Sequence, residues 1–294
     1  MNTKQEYREM VEKELEFLFP ENDARIPETL LRAIRYSLLA GGKRLRPIML
    51  LAATDMLGGD VRQALVPACC VEMIHTYSLI HDDLPGMDDD TLRRGRPTSH
   101  IMFGEGQAIL AGDALLSAAF ERMLENALRY PAFLERHVLA MSEIARGAGP
   151  GGMIAGQSQD LLMETREGSE ADLLYIHTNK TARMFIHPLR AGGCIAGADT
   201  DVLKRLGDYG YAFGMLFQTL DDILDETGTL EEMGKNVGKD REGDKLTAVK
   251  IYGMDGAKAR CEKLLQEGLD ALSPFGARAE FFRALISETA TRRG

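Results

Sequence analysis

The sequence lacks the features that mark secreted, membrane and metal-finger proteins. Tryptophan is absent, and the four cysteines form neither a CxxC pair nor a disulfide framework. We therefore expect reduced, buried thiols and no zinc site. No apolar run approaches the ~20 residues of a membrane-spanning helix, and the first residues contain no apolar signal-peptide core. These absences predict a cytoplasmic chain without a membrane span.

Basic residues are also in short supply. The 294 residues include 35 Lys and Arg against 45 Asp and Glu, which gives a net charge of −10. A protein dedicated to nucleic acid needs a basic face, so this balance argues against that class. A small anionic substrate needs only a local basic pocket and is compatible with it. The hydrophobic and charged fractions, 45% and 27%, are those of an ordinary globular protein.

The alternation expected of β-strands is missing, and apolar residues recur instead with a helical period. We predict an all-α bundle of ten or more helices. Pro188 predicts a kink within its helix. The main predicted helical spans are 3–19, 27–40, 48–57, 61–84, 105–129, 133–147, 170–196, 199–224 and two or three helices within 247–290.

The predicted helix at 61–84 runs directly into a cluster of like charge. Five aspartates stand within nine residues, at Asp82, Asp83, Asp88, Asp89 and Asp90, and arginines follow at 93, 94 and 96. Pro85 disfavours helical angles at the residue before it, so the first aspartates should lie near a helix end, where the macrodipole disfavours anions. A hard divalent cation such as Mg²⁺ would neutralise the cluster. The alternative is a solvated acidic loop.

A second acidic motif ends the predicted helix at 199–224. Asp221 and Asp225 are four residues apart and share a helical face, while Asp222 lies about 100° away. Like charges at this spacing destabilise a helix. This motif too is therefore a candidate cation site.

A cationic loop, Gly41-Gly-Lys-Arg-Leu-Arg-Pro47, separates two predicted helices. The glycines allow the backbone to approach a ligand closely, although a surface turn with solvated charges is the alternative. His75 shares a helical face with Ser78 and Asp82. Further basic residues stand at Lys180 and, after the second acidic motif, at Lys235, Lys239 and Lys245.

Carboxylates, separate basic clusters and apolar helices together indicate a metal-dependent enzyme of amphiphilic diphosphates. If the two acidic motifs lie at the same end of one bundle, their carboxylates should face each other across a cavity. The basic clusters would bind more than one diphosphate, and the apolar helix walls would hold a hydrocarbon tail.

These residues resemble the motifs of the trans-isoprenyl diphosphate synthases. The resemblance rests on the cationic loop, on Asp82-Asp-Leu-Pro-Gly-Met-Asp88 with Arg93-Arg94-Gly95, on Lys180-Thr181 and on Gln218-Thr-Leu-Asp-Asp-Ile-Leu-Asp225. It covers nearly the whole chain in the right order. It implies one polyprenyl synthase domain over residues 1–294, an all-α isoprenoid synthase fold around a central cavity, and a homodimer formed through the 105–130 region.

The resemblance also implies roles for individual residues. About three Mg²⁺ ions per active site would be held by the two acidic motifs once substrate is bound. The implied metal ligands are Asp82, Asp83, Asp88, Asp221, Asp222 and Asp225. The implied contacts to the allylic diphosphate are Arg93, Lys180, Thr181, Gln218, Lys235 and Lys245, with Lys180 also counted as catalytic. The implied contacts to isopentenyl diphosphate are Lys43, Arg46, His75 and Arg94. Lys239 belongs to the same loop as Lys235.

The reaction implied is condensation of isopentenyl diphosphate with dimethylallyl or geranyl diphosphate. The residue five positions before the first aspartate tunes product length in this family, and here it is Tyr77. An aromatic residue there is similar to bacterial farnesyl diphosphate synthases, so we expect a farnesyl product, with geranylgeranyl as the alternative. Helical geometry places Ser78, not Tyr77, most directly beneath Asp82.

Two other classes of protein share parts of this pattern, and one segment of the chain departs from the family pattern. A terpene cyclase usually has a different second metal motif and lacks the cationic loop, and a regulatory subunit usually loses an aspartate motif. Both motifs are intact here. The chain reads Lys245-Leu-Thr-Ala-Val249 where relatives often carry Thr-Tyr-Pro after the lysine, which puts the role of Lys245 in doubt.

Overall fold

The computed structural model describes residues 2–227 and 245–292. The regular structure of these residues is almost wholly helical, as the missing strand alternation predicts. The helices are α1 (Lys4–Leu18), α2 (Glu28–Leu38), α3 (Leu45–Met56), α4 (Val61–Asp82), α5 (Ser99–Phe103), α6 (Glu105–Arg129), α7 (Leu134–Ala148), α8 (Met153–Met163), α9 (Glu170–Ile176), α10 (Arg183–Ala196), α11 (Thr200–Thr227), α12 (Ala248–Ala271) and α13 (Glu280–Ala290).

The remaining elements are short. The two strands in the described part of the chain are β1 (Leu92–Arg93) and β2 (Arg96–Pro97), which pair antiparallel. A π-helical turn, His177–Ala182, joins α9 to α10, and 3₁₀ turns lie at Pro131–Phe133 and Ser273–Ala279. The β-hairpin carries Arg93 and Arg94, and the π turn carries Lys180 and Thr181, so both irregular elements hold predicted site residues.

Local sequence signals explain where the helices begin and which faces they bury. The Thr3 side chain accepts a hydrogen bond from the Glu6 amide, and Glu6 returns one to the Thr3 amide, which forms a capping box at the start of α1. Tyr7, Val11 and Leu15 follow at four-residue spacing and are fully buried. The amphipathic pattern predicted for residues 3–19 is thereby confirmed.

The described residues form two compact units. The first comprises the residues up to Ser142 together with Cys194–Gly197, and the second comprises Glu143–Gly193 with the residues from Ala198 onward. In the first unit α4 packs against α1, α3 and α6, and in the second α11 packs against α12, α13 and the π turn. The single domain over residues 1–294 and the facing acidic motifs stay predictions.

Two details of the predicted helices differ from the simple spans. The predicted span 170–196 includes the π turn, and Pro188 lies inside α10, where its kink stays a prediction. The helix predicted over residues 48–57 begins earlier, at Leu45, because Arg44 adopts a left-handed conformation (φ 49°) that ends the preceding loop. In the described part of the chain, no helix is both long and apolar enough to cross a membrane.

Candidate active site

The cationic loop is folded so that an arginine from the β-hairpin lies on its glycines. Arg94 donates to the Gly41 carbonyl oxygen. A Cβ atom added at Gly42 (φ 128°) would lie 2.8 Å from the Arg94 guanidinium carbon, so a side chain at this position would exclude the arginine. The loop and the hairpin thus bring together two of the basic groups predicted to bind one diphosphate.

A buried ion pair fixes this loop to α4. The Arg44 guanidinium lies 2.6 Å from a Glu72 carboxylate oxygen, and it also donates to the Leu38 carbonyl at 2.8 Å. Both residues are only 3% exposed. Arg44 is therefore structural, while its neighbour Lys43 is exposed.

Arg46 and His75 lie together in the same region. Arg46 Nη1 is 3.3 Å from His75 Nε2. Burial, and next the nearby guanidinium groups of Arg46 and Arg94, hold the pKa of His75 well below its usual range. His75 therefore places a neutral imidazole beside guanidinium groups. The predicted set of Lys43, Arg46, His75 and Arg94 is suited to an anion such as diphosphate.

The first acidic motif begins where α4 ends, at Asp82, as Pro85 predicts. The backbone then folds back, with the Asp88 amide donating to the Asp82 carbonyl at 2.8 Å. Asp83 is buried and accepts two close bonds from Arg93, from Nη2 at 2.6 Å and from Nε at 2.8 Å. Burial raises the pKa of Asp83, and the Arg93 guanidinium opposes that rise. Asp82 and Asp88 are more exposed than Asp83.

The hairpin carrying these arginines is held by α2. The Tyr36 hydroxyl donates to the Pro97 carbonyl at 2.7 Å, and the Arg96 guanidinium lies 4.4 Å above the Tyr36 ring. Arg96 is thus placed on an aromatic ring in a cation–π contact. Sequence reasoning missed Tyr36, which stands far from the motifs in an otherwise ordinary amphipathic helix.

The residues predicted to set product length lie near the C-terminal end of α4. Tyr77 is buried, and its hydroxyl has no hydrogen-bond partner among the described residues. Burial, followed by the nearby Asp82 charge, raises the pKa of Tyr77 to about 12. Its ring makes an edge-on contact with His81, at 5.8 Å between centroids. Ser78 donates to the His75 carbonyl at 2.9 Å.

The second acidic motif lies on the last turns of α11, where its three aspartates have different surroundings. Asp222 is buried, and its carboxylate accepts from Gln218 at 3.0 Å and from the Ala248 amide at 2.7 Å. His177 Nε2 is 3.3 Å from the same carboxylate. Asp221 lies 3.1 Å from the Arg292 guanidinium. Asp225, on the Asp221 face, is buried as well.

The π turn presents Lys180 and Thr181 to different partners in the second unit. Lys180 Nζ lies 2.5 Å from an Asp160 carboxylate oxygen on α8, and Thr181 donates to Gln218 at 2.7 Å. The turn packs closely on α8, since a Cβ at Gly156 would lie 2.1 Å from the Lys180 amide nitrogen. Four residues with predicted roles, Lys180, Thr181, Gln218 and Asp222, thus belong to neighbouring hydrogen-bonded groups.

Two residues that contact the predicted site residues, Asp160 and His177, were not predicted from the sequence. Asp160 follows Gly156-Gln-Ser-Gln, a segment that indicates only the start of a helix. His177 has no neighbouring residues in the sequence that distinguish it from a structural histidine. Lys235 and Lys239 lie outside the described residues. Lys245 is described and half-buried, just before α12 begins.

Comparison with known proteins identifies the class. A model of the family described as polyprenyl synthetase matches residues 27–274. The chain belongs to this family of prenyltransferases, whose members with solved structures share its all-α fold.

Curated relatives and solved structures that match the chain carry names that differ in product length. The chain is 44% identical over 270 residues to the heterodimeric geranylgeranyl pyrophosphate synthase large subunit 1 of Arabidopsis thaliana, covering 91% of this chain and 72% of the relative. Among solved structures, it is similar to an FPP/GFPP synthase of Zymomonas mobilis (TM-score 0.84, 30% identity, 96% and 95% of the two chains covered). It is also similar to a putative farnesyl-diphosphate synthase of Marinomonas sp. MED121 (TM-score 0.82, 35% identity, 99% of each chain covered).

Proposed function

We propose that this prenyltransferase condenses isopentenyl diphosphate with dimethylallyl and geranyl diphosphate to form farnesyl diphosphate. The observation that carries the proposal is the basic cluster of the first unit. Arg94 lies on the glycines of the cationic loop and Arg46 beside His75, next to the helix end that carries the first aspartates. An anion site beside a carboxylate cluster suits an enzyme that binds two diphosphates, one through basic side chains and the other through Mg²⁺.

In the proposed reaction the allylic carbon–oxygen bond breaks, and its electron pair leaves with the diphosphate. The double bond of isopentenyl diphosphate then attacks the allylic cation, and the departing diphosphate takes up the proton that is lost. Arg93, Lys180, Thr181 and Gln218 would hold the allylic diphosphate, with Lys235 and Lys245. Lys43, Arg46, His75 and Arg94 would hold isopentenyl diphosphate and so orient its double bond.

The aspartates suit Mg²⁺ as the cofactor. Mg²⁺ is usually bound through one or two carboxylates together with substrate phosphates. Within the described ranges, no group of three or more His, Cys, Asp or Glu side chains could hold a metal by itself, which fits an ion shared with the substrate. When bound, Mg²⁺ would neutralise the charge that develops on the leaving diphosphate.

We propose all six predicted aspartates as metal ligands. Asp83 accepts from Arg93, Asp222 accepts from the Gln218 side chain and the Ala248 amide, and Asp221 lies 3.1 Å from the Arg292 guanidinium. Metal ligation through these carboxylates would use their remaining lone pairs.

The test of this function is elongation by the purified protein. With Mg²⁺, isopentenyl diphosphate and dimethylallyl or geranyl diphosphate, we expect a farnesyl product, and removal of Mg²⁺ with EDTA should abolish it. A cyclase would consume a single allylic substrate without isopentenyl diphosphate, and a regulatory subunit would do neither. Either outcome would overturn the proposal.

Geranylgeranyl diphosphate is the alternative product, because the curated relatives at 44% identity carry that name. Incubation with farnesyl diphosphate as the allylic substrate separates the two products. A farnesyl synthase should extend it poorly, whereas a geranylgeranyl synthase should convert it readily.

Tyr77 is the residue we propose as the floor for the growing chain. Its bulk is buried in α4, and Tyr77→Ala would remove most of that volume. We expect products at least one isoprene unit longer than those of the wild type, read by chromatography of the dephosphorylated alcohols. Tyr77→Phe is the matched control, because it keeps the ring and removes only a hydroxyl without a hydrogen-bond partner among the described residues, so its product length should stay that of the wild type. An unchanged product length in Tyr77→Ala would show that another residue forms the floor.

A homodimer through α6 is part of the proposal. This helix exposes Leu110, Leu124 and Leu128, the last with 73% of its surface in solvent, and such apolar surface is typical of an interface. We expect the wild type to elute as a dimer and Leu124→Glu/Leu128→Glu to elute as a monomer in size-exclusion chromatography with light scattering. Phe17→Glu, at an exposed site on α1, is the control. A monomeric wild type would contradict the prediction.

A further inference from the structure

A buried ionic cluster in the second unit lies outside every residue assigned above. The Glu143 carboxylate accepts from His187 Nδ1 at 2.8 Å and from Arg190 at 2.8 and 2.9 Å. Glu143 and His187 are both buried. Burial by itself would raise the pKa of Glu143, but the bonds from His187 and Arg190 outweigh it and lower the pKa to about 2. The carboxylate is therefore ionised at neutral pH.

The groups around His187 define the roles of its two ring nitrogens. Arg183 Nη1 lies 3.3 Å from His187 Nε2. A guanidinium group can only donate, so Nε2 accepts this bond and Nδ1 donates to Glu143. His187 thus links the buried carboxylate to Arg183.

Arg183 extends the cluster to the π turn. Its Nε donates to the Asn179 side-chain oxygen at 2.6 Å, and Asn179 in turn donates to the Tyr175 carbonyl at 2.8 Å. Asn179 lies within the π turn, directly before Lys180, and Arg183 is the first residue after the turn. The chain of hydrogen bonds therefore begins at the buried Glu143 carboxylate and reaches Asn179, the residue before Lys180.

A π turn depends on such support because it inserts one residue into a helix and has poorer backbone packing than an α-helix. Returning it to α-helical register would rotate the side chains that follow by about 100°. Lys180 and Thr181 would then leave Asp160 and Gln218, their present partners at 2.5 and 2.7 Å. The two side chains are placed only while the turn keeps its shape.

We propose that Arg183 and His187 are positioning residues, which hold the π turn so that Lys180 and Thr181 bind the allylic diphosphate. This inference rests on the proposed function, which assigns those two contacts. Neither Arg183 nor His187 touches substrate in this scheme. Their contribution is to fix the turn, and a shift of about 1 Å in a binding group can cost on the order of 100-fold in rate.

The variants that test this are Arg183→Met and His187→Leu, with His187→Gln as the conservative replacement. Arg183→Met removes both bonds but leaves the Glu143–Arg190 pair intact. His187→Gln can still donate to Glu143 and accept from Arg183, whereas His187→Leu can do neither. Lys204→Met, which breaks an exposed ion pair with Asp208 in the same unit, is the control.

We expect Arg183→Met and His187→Leu to raise KM for the allylic diphosphate by about 10-fold or more and to leave KM for isopentenyl diphosphate near its wild-type value. His187→Gln should bring the KM for the allylic diphosphate most of the way back to its wild-type value. Lys204→Met should leave that KM unchanged. In hydrogen exchange measured by mass spectrometry, Arg183→Met should lose protection over residues 177–182 in a protein that otherwise keeps its wild-type protection.

The outcomes separate the two proposals. If the wild type binds and elongates no allylic diphosphate, the proposed function fails, and this role fails with it. If the wild type elongates but Arg183→Met keeps both its KM and its protection at 177–182, the positioning role alone is wrong. A loss of stability with equal changes in both KM values would make the cluster merely structural.

Discussion

An Asp82→Asn variant should be folded and nearly inactive. The substitution keeps the size of the side chain but removes the charge that a Mg²⁺ ligand needs, so stabilisation of the leaving diphosphate is lost. We expect kcat to fall by about 10²- to 10³-fold, measured at saturating substrates over a range of Mg²⁺ concentrations. The apparent affinity for Mg²⁺ should fall in the same experiment.

The same acidic run supplies the control for this variant. Asp89 is exposed and has a left-handed backbone (φ 47°), a conformation that asparagine tolerates. Asp89→Asn removes the same charge from the same loop without touching a proposed ligand, so its kcat should stay close to that of the wild type. Equal losses in the two variants would indicate that the total charge of the loop matters and not a ligand at position 82.

Removing the carboxylate of Glu72 should have the largest effect on stability. Glu72→Met keeps the length of the side chain but leaves the Arg44 guanidinium buried without its partner at 2.6 Å. Breaking a buried ion pair from one side typically costs about 3–5 kcal/mol. Arg44 Nε already lacks a partner among the described residues, so little remains to compensate. We expect this loss in the free energy of unfolding measured in urea.

A surface pair in the same unit provides the comparison. Arg8 and Glu12 on α1 are 3.0 Å apart, and their side chains are 42% and 37% exposed. Glu12→Met should change the free energy of unfolding by less than about 1 kcal/mol. The double replacement Arg44→Met/Glu72→Met should recover much of the loss, because it removes both buried charges. A Glu72→Met protein within about 1 kcal/mol of wild type would show that Arg44 finds another partner.

The helices and the chemical character of the chain were predictable because both follow from local patterns. The span 105–129 was predicted to the residue, since a run of apolar and small residues at helical spacing ends at Tyr130 and Pro131. The aspartate motifs stood out because like charge at close spacing needs compensation. Local repulsion is visible in a sequence, whereas the group that relieves it is not.

What could not be predicted depends on contacts between distant residues. Nothing in the sequence distinguishes Asp83 from Asp82, or Asp222 from Asp221, because the difference lies in Arg93 and in the Ala248 amide. The π turn was equally invisible. Its residues have an ordinary helical pattern, and their hydrogen-bond partners lie on α8 and α11, far away in the sequence.

The left-handed backbone of the polar loops has a cost for the whole molecule. Within the described ranges, the residues other than glycine with positive φ are Arg44, Asp89 and Arg94, and all three lie in the cationic loop or around the first acidic motif. Each conformation disfavours folding by roughly 1–2 kcal/mol relative to glycine. Selection for heat resistance alone would therefore favour glycine at Arg94 and would discard the guanidinium that lies on Gly41. These loops are where thermal endurance and turnover would compete.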